Sequence, residues 1–516
     1  MHAFEALLLI LVGAVLLSLL ARRLNAPFPP FLALGGAAVA FLPHAPELAL
    51  DPELVLALFV APVLLDSAFD SSPRDLKRNI VPITFLTLVA VGVTVMAVAF
   101  SARAMEPSMA WPVAIALGAI VAPPDAAAAT SVLRAVPVPH RVRVVLEGES
   151  LFNDASALLT YRLAVTAATA GLVMGWPLVA MLVWMTVGSL ILGIAAGWLA
   201  SRINGRIEDA PLAILTQFTF TFGVWIVAEQ LQVSAIITVV IYGLVIARLS
   251  ARRTSAAVRV PSYAVWETVV FALNATAFAI VGLQIGPIWR GLDPDQRNEY
   301  AIFALIILAV AVTTRLAWVM TYNVAAQIKN RTLGAHPPAG QAPPTLKTGL
   351  IVGWSGMRGV VSLATAYALP MDFPHRDLIL LATFAVVLGT LSIQGLTLGP
   401  LIRLLKIHDD GQLDREIHFA RKAVLEAGIN HVGKKKSPLA ARLRGDYADR
   451  LKALKAASPE EGRIFSEQDR LLSAVLTVKR EALLELRTSG QVSDAAYYQL
   501  EEELDRMELS LTPVVR

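Results

Sequence analysis

The sequence predicts an all-α polytopic membrane protein. About thirteen transmembrane helices form two inverted six-helix repeats with two unwound, crossing helices, and a small helical cytoplasmic tail follows. Three observations carry this expectation. Of 516 residues, 56% are hydrophobic and 16% charged, against roughly 45–50% apolar and about 25% charged in soluble domains. The apolar residues gather into runs that approach the length needed to cross a hydrocarbon layer of ~30 Å. Two of the runs are interrupted by helix breakers, and they stand at matching places in the two halves.

The runs lie near 4–21, 27–42, 53–70, 80–100, 110–133, 144–170, 176–200, 211–229, 233–249, 263–286, 299–322, 346–369 and 378–405. The first, within MHAFEALLLILVGAVLLSLL, has no basic residues ahead of it and carries Arg22 and Arg23 behind it. It therefore reads as a retained helix, not a cleaved signal. The second is short and proline-rich. Seventeen Lys and Arg, Arg134 and Arg252 among them, lie in the loops after spans 1, 3, 5, 7, 9 and 11. The alternate loops hold four: Arg103, Arg290, Arg297 and Arg376. The asymmetry predicts an amino terminus outside and a carboxyl terminus in the cytoplasm, as for a multi-pass protein of the plasma membrane, the inner membrane in a bacterium. The net charge of +4 is then topological, and no nucleic-acid partner is expected. The absence of cysteine excludes disulfides, thiolate catalysis and Cys-based zinc sites.

After about Ile407 the composition turns to charged helix formers, as in LKALKAASPEEGRIFSEQDRLLSAVLTVKREALLELR. The expected division is a membrane domain over 1–406 and a helical cytoplasmic domain over 407–516. Leu472, Val475, Leu476, Val478 and Leu483 fall on one helical stripe. That stripe fits either a regulatory domain or solvated helices without such a role.

Interrupted backbone inside a bilayer must be satisfied by protein or water, so surviving breaks tend to line a site. The fifth span reads WPVAIALGAIVAPPDAAAATSVL, where Pro123 and Pro124 lack the amide hydrogens that propagate a helix. The twelfth reads TGLIVGWSGMRGVVSLATA, with Gly353, Gly356 and Gly359 around Arg358. Alone, the proline pair also fits a simple kink. If spans 1–6 and 8–13 are inverted halves joined by the seventh, each broken span is the fifth of its half. That is the pattern of a secondary transporter with its site at the crossing.

The sixth span opens EGESLFNDASALLTYRLAVTAA. Ser150 and Asp154 are four residues apart and Asn153 is three from Ser150, so the three converge on one helical face. A carboxylate at such depth costs a few kcal/mol or more and is expected to face a cavity, unless an arginine locks it. Burial favours the protonated carboxyl and a dehydrated cation favours the ionised one. Protons and cations thus compete for the Asp154 oxygens, which is the chemistry of an exchanger. Oxygens of Ser150 and Asn153 could complete a shell for Na+ or K+ at Asp154 and Asp125. Asp125 follows the proline pair, at the amino end of a new half-helix, and can cap it, face the cavity, or both. Glu149 and Arg358 are complementary charges expected to pair. Asp66, in APVLLDSAFD, is a candidate gate or helix organiser. Arg162 and Arg315 also lie in spans, and the sequence names no partner for either.

The segments VLLDSAF (63–69), APPDAAAAT (122–130), GESLFND (148–154) and GMRGVVSLA (356–364) resemble, in family order, the cation:proton antiporter family in its sodium/proton exchanger branch. The resemblance implies a core domain and a dimerisation domain, a homodimer, and a core that moves as an elevator. It implies that Asp154 is the essential ion- and proton-binding carboxylate, Asn153 its partner, and Asp125 part of the unwound crossover. By the same resemblance Ser150 is a ligand or a ligand's neighbour, and Glu149 and Arg358 stabilise the core. Many members carry Thr or Ser where this chain has Pro124, so one hydroxyl ligand is missing here. The Asn153–Asp154 pair resembles electroneutral members, and one titrating carboxylate fits one proton per cation. The expected activity is electroneutral sodium/proton exchange serving pH homeostasis, with potassium/proton exchange as the next reading. An ion-coupled symporter or a cation channel is the alternative of another class. No enzymatic activity and no resident cofactor are expected, since Na+ (or K+ or Li+) and H+ are cargo.

Overall fold

A chain that crosses lipid must satisfy its backbone internally, and helices do this here. The computed structural model describes residues 2–24, 26–42, 52–133, 136, 138–170, 176–250, 253–292, 295–333, 345–434, 437–456, 467–489 and 491–511. Among them all regular structure is helical. Arg134 and Arg252, counted above among the basic loop residues, lie outside the described residues.

Each expected span corresponds to a helix or to a broken pair of helices. The first four are His2–Arg23, Phe28–Ala40, a segment over 52–70, and Ile80–Met105. The fifth span is the pair Trp111–Val121 and Ala126–Leu133. Next come His140–Ala170, Trp176–Asn204, Ala210–Gln230, Ala235–Ser250, Ala256–Gly291 and Arg297–Leu333. The twelfth span is the pair Leu346–Trp354 and Val360–Tyr367, and Arg376–Leu404 closes the bundle.

Local chemistry sets several ends. Asp209 accepts from the Leu212 amide at 2.9 Å and Pro211 occupies the first turn of Ala210–Gln230, a strong helix start. Thr345 and Thr348 form a capping box at the head of Leu346–Trp354. A π-turn at Leu56–Val60 precedes Pro62, whose missing amide hydrogen interrupts the ladder.

The burial pattern is that of a protein in lipid. His2–Arg23 exposes Leu9, Val12, Leu16 and Leu19, and Trp176–Asn204 exposes Trp184, Ile191 and Ile194. Such faces would promote aggregation in water and are required in a bilayer. Arg376–Leu404 lies inside, with Ile379, Ala382, Val386, Val387 and Leu391 fully buried. Phe28–Ala40 and Ala256–Gly291 approach backbone to backbone, since a Cβ on Gly36 or Gly282 would overlap the opposite main chain.

The chain divides into two compact units, Met1–His408 and Asp409–Arg516. The second contains two helical hairpins: Gln412–Gly433 with Pro438–Ala456, and Glu467–Thr488 with Asp494–Leu511. Leu476 and Leu483, two turns apart on the expected stripe, pack with Leu504 and Tyr497, whereas Leu472, Val475 and Val478 remain exposed.

Candidate functional site

Unwinding begins at the proline pair. In a regular helix the Asp125 amide would donate to the Val121 carbonyl four residues back. Here the two groups find partners on the other broken span. The Asp125 amide donates to the Met357 carbonyl at 2.6 Å, and Arg358 Nε donates to the Val121 carbonyl at 2.9 Å. The segments 121–125 and 355–359 are thus bonded where they cross.

Arg358 is fully buried and surrounded by main-chain oxygen. Besides Val121 it reaches the carbonyls of Gly356, Ala122 and Ala311. Its own amide donates to Thr390 Oγ1 at 3.0 Å. A guanidinium has five donors and no acceptor, so it suits a place where a broken helix leaves carbonyls unpaired. Gly359 makes the crossing close: a Cβ there would overlap the Asp125 carboxylate. At Gly356 a Cβ would collide with the Arg315 side chain.

The sixth span brings its polar residues to this crossing. Asn153, fully buried, donates from Nδ2 to the Pro124 carbonyl at 2.7 Å and accepts the Asp154 amide on Oδ1 at 2.6 Å. Asp154 is 7% exposed, and its carboxylate interacts electrostatically with that of Asp125. Two acids from different spans therefore stand within electrostatic reach of each other at the crossing. Ser150 is buried and lines a small cavity with Asp125, Glu149, Arg315, Thr130 and Ser355. Asp154 is not among the residues lining that cavity. It sits one turn farther along its helix than Ser150.

One expected contact is corrected. Glu149 pairs with Arg315, not with Arg358. Arg315 Nη1 and Nη2 donate to the two Glu149 oxygens at 2.5 and 2.9 Å, and both side chains are almost completely buried. Arg315 Nη2 also reaches the Val352 carbonyl at 3.2 Å. The physical reason is that carbonyls of the break already engage the Arg358 guanidinium, while Arg315 on Arg297–Leu333 presents a free fork to a carboxylate of matching geometry. Arg162, also left unassigned by the sequence, pairs with Glu229 at 2.8 Å.

Asp66 stands apart from the crossing. It lines a separate cavity of about 90 Å³ together with Gln217, Tyr242, Tyr263 and Trp266. Sequence reasoning missed Thr390, Thr130, Ser355 and Glu229. Ser355 was visible inside the glycine-rich break, and Glu229 as an acid closing an apolar run.

Comparison with known proteins gives a consistent picture. The family model described as sodium/hydrogen exchanger, transmembrane, matches residues 7–404. An uncharacterised Na+/H+ exchanger of Mycobacterium tuberculosis is 28% identical, over 97% of this chain and 95% of that one. A sodium, potassium, lithium and rubidium/H+ antiporter of Bacillus pumilus is 27% identical, over 93% of this chain and 74% of that one. Among solved structures, the sodium proton antiporter MjNhaP1 of Methanocaldococcus jannaschii superposes with a TM-score of 0.59 at 18% identity, covering 78% of this chain and 100% of the other. At that identity the likeness concerns the fold.

Proposed function

The chain belongs to the sodium/hydrogen exchanger family, and from that premise we propose that it exchanges Na+ for H+ one for one, by alternating access, with Asp154 carrying either ion. The observation that carries the mechanism is the burial of Asp154 within electrostatic reach of Asp125, where the two broken spans cross. Glu149 is already neutralised by Arg315, and Arg358 is engaged by main-chain carbonyls. Asp154 is the carboxylate that exchanges ions in this reading, with Asp125 within electrostatic reach of it. A neutral amide, Asn153, stands beside Asp154 where a second acid would add a second titration. Charge neutrality of the loaded site then follows: the carboxylate carries a cation in one direction and a proton in the other, and the charge moved per cycle is zero.

Asp125, Asn153 and Ser150 supply further oxygens to the cation, Arg358 and the Glu149–Arg315 pair hold the crossing, and Asp66 acts at a gate away from it. The protein works as a homodimer in the inner membrane of a bacterium, amino terminus outside and carboxyl terminus in the cytoplasm, as the basic loops indicate. Potassium exchange is a second reading, favoured by the name of the Bacillus pumilus relative, which includes potassium.

The test is proton movement in proteoliposomes challenged in turn with Na+, Li+ and K+. A Na+ pulse is expected to drive proton flux that does not change when the membrane potential is clamped. Active reconstituted protein without any cation-driven proton movement would overturn the reading. A flux that follows the potential would overturn the stoichiometry.

A further inference from the structure

Helix Gln412–Gly433 opens the second unit and packs in a hairpin with Pro438–Ala456. Its residues Leu425, Ile429 and Val432 are half-buried. A different side of the same helix carries Leu413, Ile417, Ala420, Val424 and Ala427, all exposed. Val424 is 71% exposed and Leu413 41%. The spacing of the five alternates four and three, which is the period of a coiled-coil seam. With Ile417 and Val424 at the a positions, Leu413, Ala420 and Ala427 fall at d.

Two features point to what covers this face. β-Branched residues at a, here Ile417 and Val424, favour a parallel pair of helices. The flanking charges complement each other in that same arrangement. Glu416 stands at g, where it also accepts from Gln412 Nε2 at 3.1 Å, and Arg421 stands at e; both are exposed. In a parallel pair of identical helices a g residue lies beside the e residue five positions further along the other helix. Glu416 then meets Arg421 of the second copy, and two-fold symmetry makes the contact twice. An anionic lipid surface would instead call for Lys and Arg along the flanks, whereas Asp414 and Glu416 stand beside Arg421.

We propose that the exposed face of Gln412–Gly433 is an interface with the same helix of a second copy of this chain, a short parallel coiled coil that joins the two cytoplasmic domains. The inference rests on the homodimer reading above. A seam of about two heptads is weak between free chains. Only residues 405–411 separate this helix from the last membrane helix, so in a dimer held together in the membrane the contact forms at high effective concentration.

The chain contains no cysteine, so one introduced thiol reports only its own contact. Ile417→Cys and Val424→Cys, made separately in the full chain, are reconstituted in proteoliposomes and oxidised with copper phenanthroline. A parallel seam brings each thiol to its counterpart within disulfide reach, and both variants are expected to yield a covalent dimer. Phe419→Cys, exposed on the same helix but off the seam, is expected to yield little. Glu416→Arg in the Val424→Cys background is expected to lower the yield, and further addition of Arg421→Glu to restore it. No crosslink at either seam position, a crosslink at only one of them, an equal yield from Phe419→Cys, or no restoration by the charge exchange would overturn the proposal. The mass of the wild-type protein in detergent separates the two readings. A dimer without seam crosslinks keeps the homodimer and removes the seam, whereas a monomer removes both.

Discussion

Replacing Arg315 with methionine leaves Glu149, 1% exposed, without its bidentate partner. Stranding one partner of a buried pair costs about 3–5 kcal/mol. The membrane unit spans 408 residues. With an unfolding entropy of about 2.1 cal/mol/K per residue, that cost lowers Tm by about 4–6 °C. The assay is thermal unfolding of purified protein in detergent, followed by the fluorescence of its nine tryptophans. The double variant Glu149→Gln with Arg315→Met removes both charges and is expected to recover much of the loss, so the cycle reports a favourable coupling. The parallel cycle with Arg358→Met is expected to give a smaller coupling, because Arg358 is engaged by the carbonyls of Val121, Ala122, Ala311 and Gly356. A coupling of Glu149 to Arg358 larger than that to Arg315 would refute the pairing.

Three further outcomes follow from the crossing. Gly359→Ala forces a methyl group into the Asp125 carboxylate; exchange in vesicles is expected to fall about tenfold or more, as displaced reacting groups do, while size-exclusion profiles stay normal. Asn153→Leu removes the bond to the Pro124 carbonyl and leaves that oxygen unsatisfied, at a cost of about 1–3 kcal/mol, readable as a lowered Tm together with impaired exchange. If one carboxylate alternates between proton and cation, lowering the pH adds competitor. The apparent cation KM then rises about tenfold per pH unit on the acid side with the maximal rate unchanged, and a slope of two decades per unit would indicate two protons.

Much of the bundle was legible because lipid imposes simple rules. Length and apolarity located the spans, and the proline pair and the glycines around Arg358 marked both interruptions. The helical period put Ser150, Asn153 and Asp154 on one face, since all three lie on one helix, and the fold brings Asn153 to the first break. The period says nothing about distances between helices. Glu149 and Arg358 were matched by charge alone, whereas their partners depend on which side chain faces which across the bundle. Arg315 was conspicuous as a charge in an apolar span, yet only the fold brings it to Glu149, 166 residues away in sequence. Ser355 carried no charge to mark it, and only the fold shows that it lines a cavity with Asp125 and Ser150. Asp66 shows the opposite case: an acid in an apolar run, suspicious by the same rule as Asp154, that the fold places at a different cavity.

The central claim is that Asp154 binds the cation and the proton in alternation. It is tested most directly by comparing wild-type protein with Asp154→Asn in proteoliposomes at equal incorporation, recording proton movement after a Na+ pulse. Asparagine keeps the shape and can neither titrate nor carry the charge. The account predicts wild-type flux and none above empty liposomes in the variant; Na+-driven proton movement that persists in Asp154→Asn would contradict it.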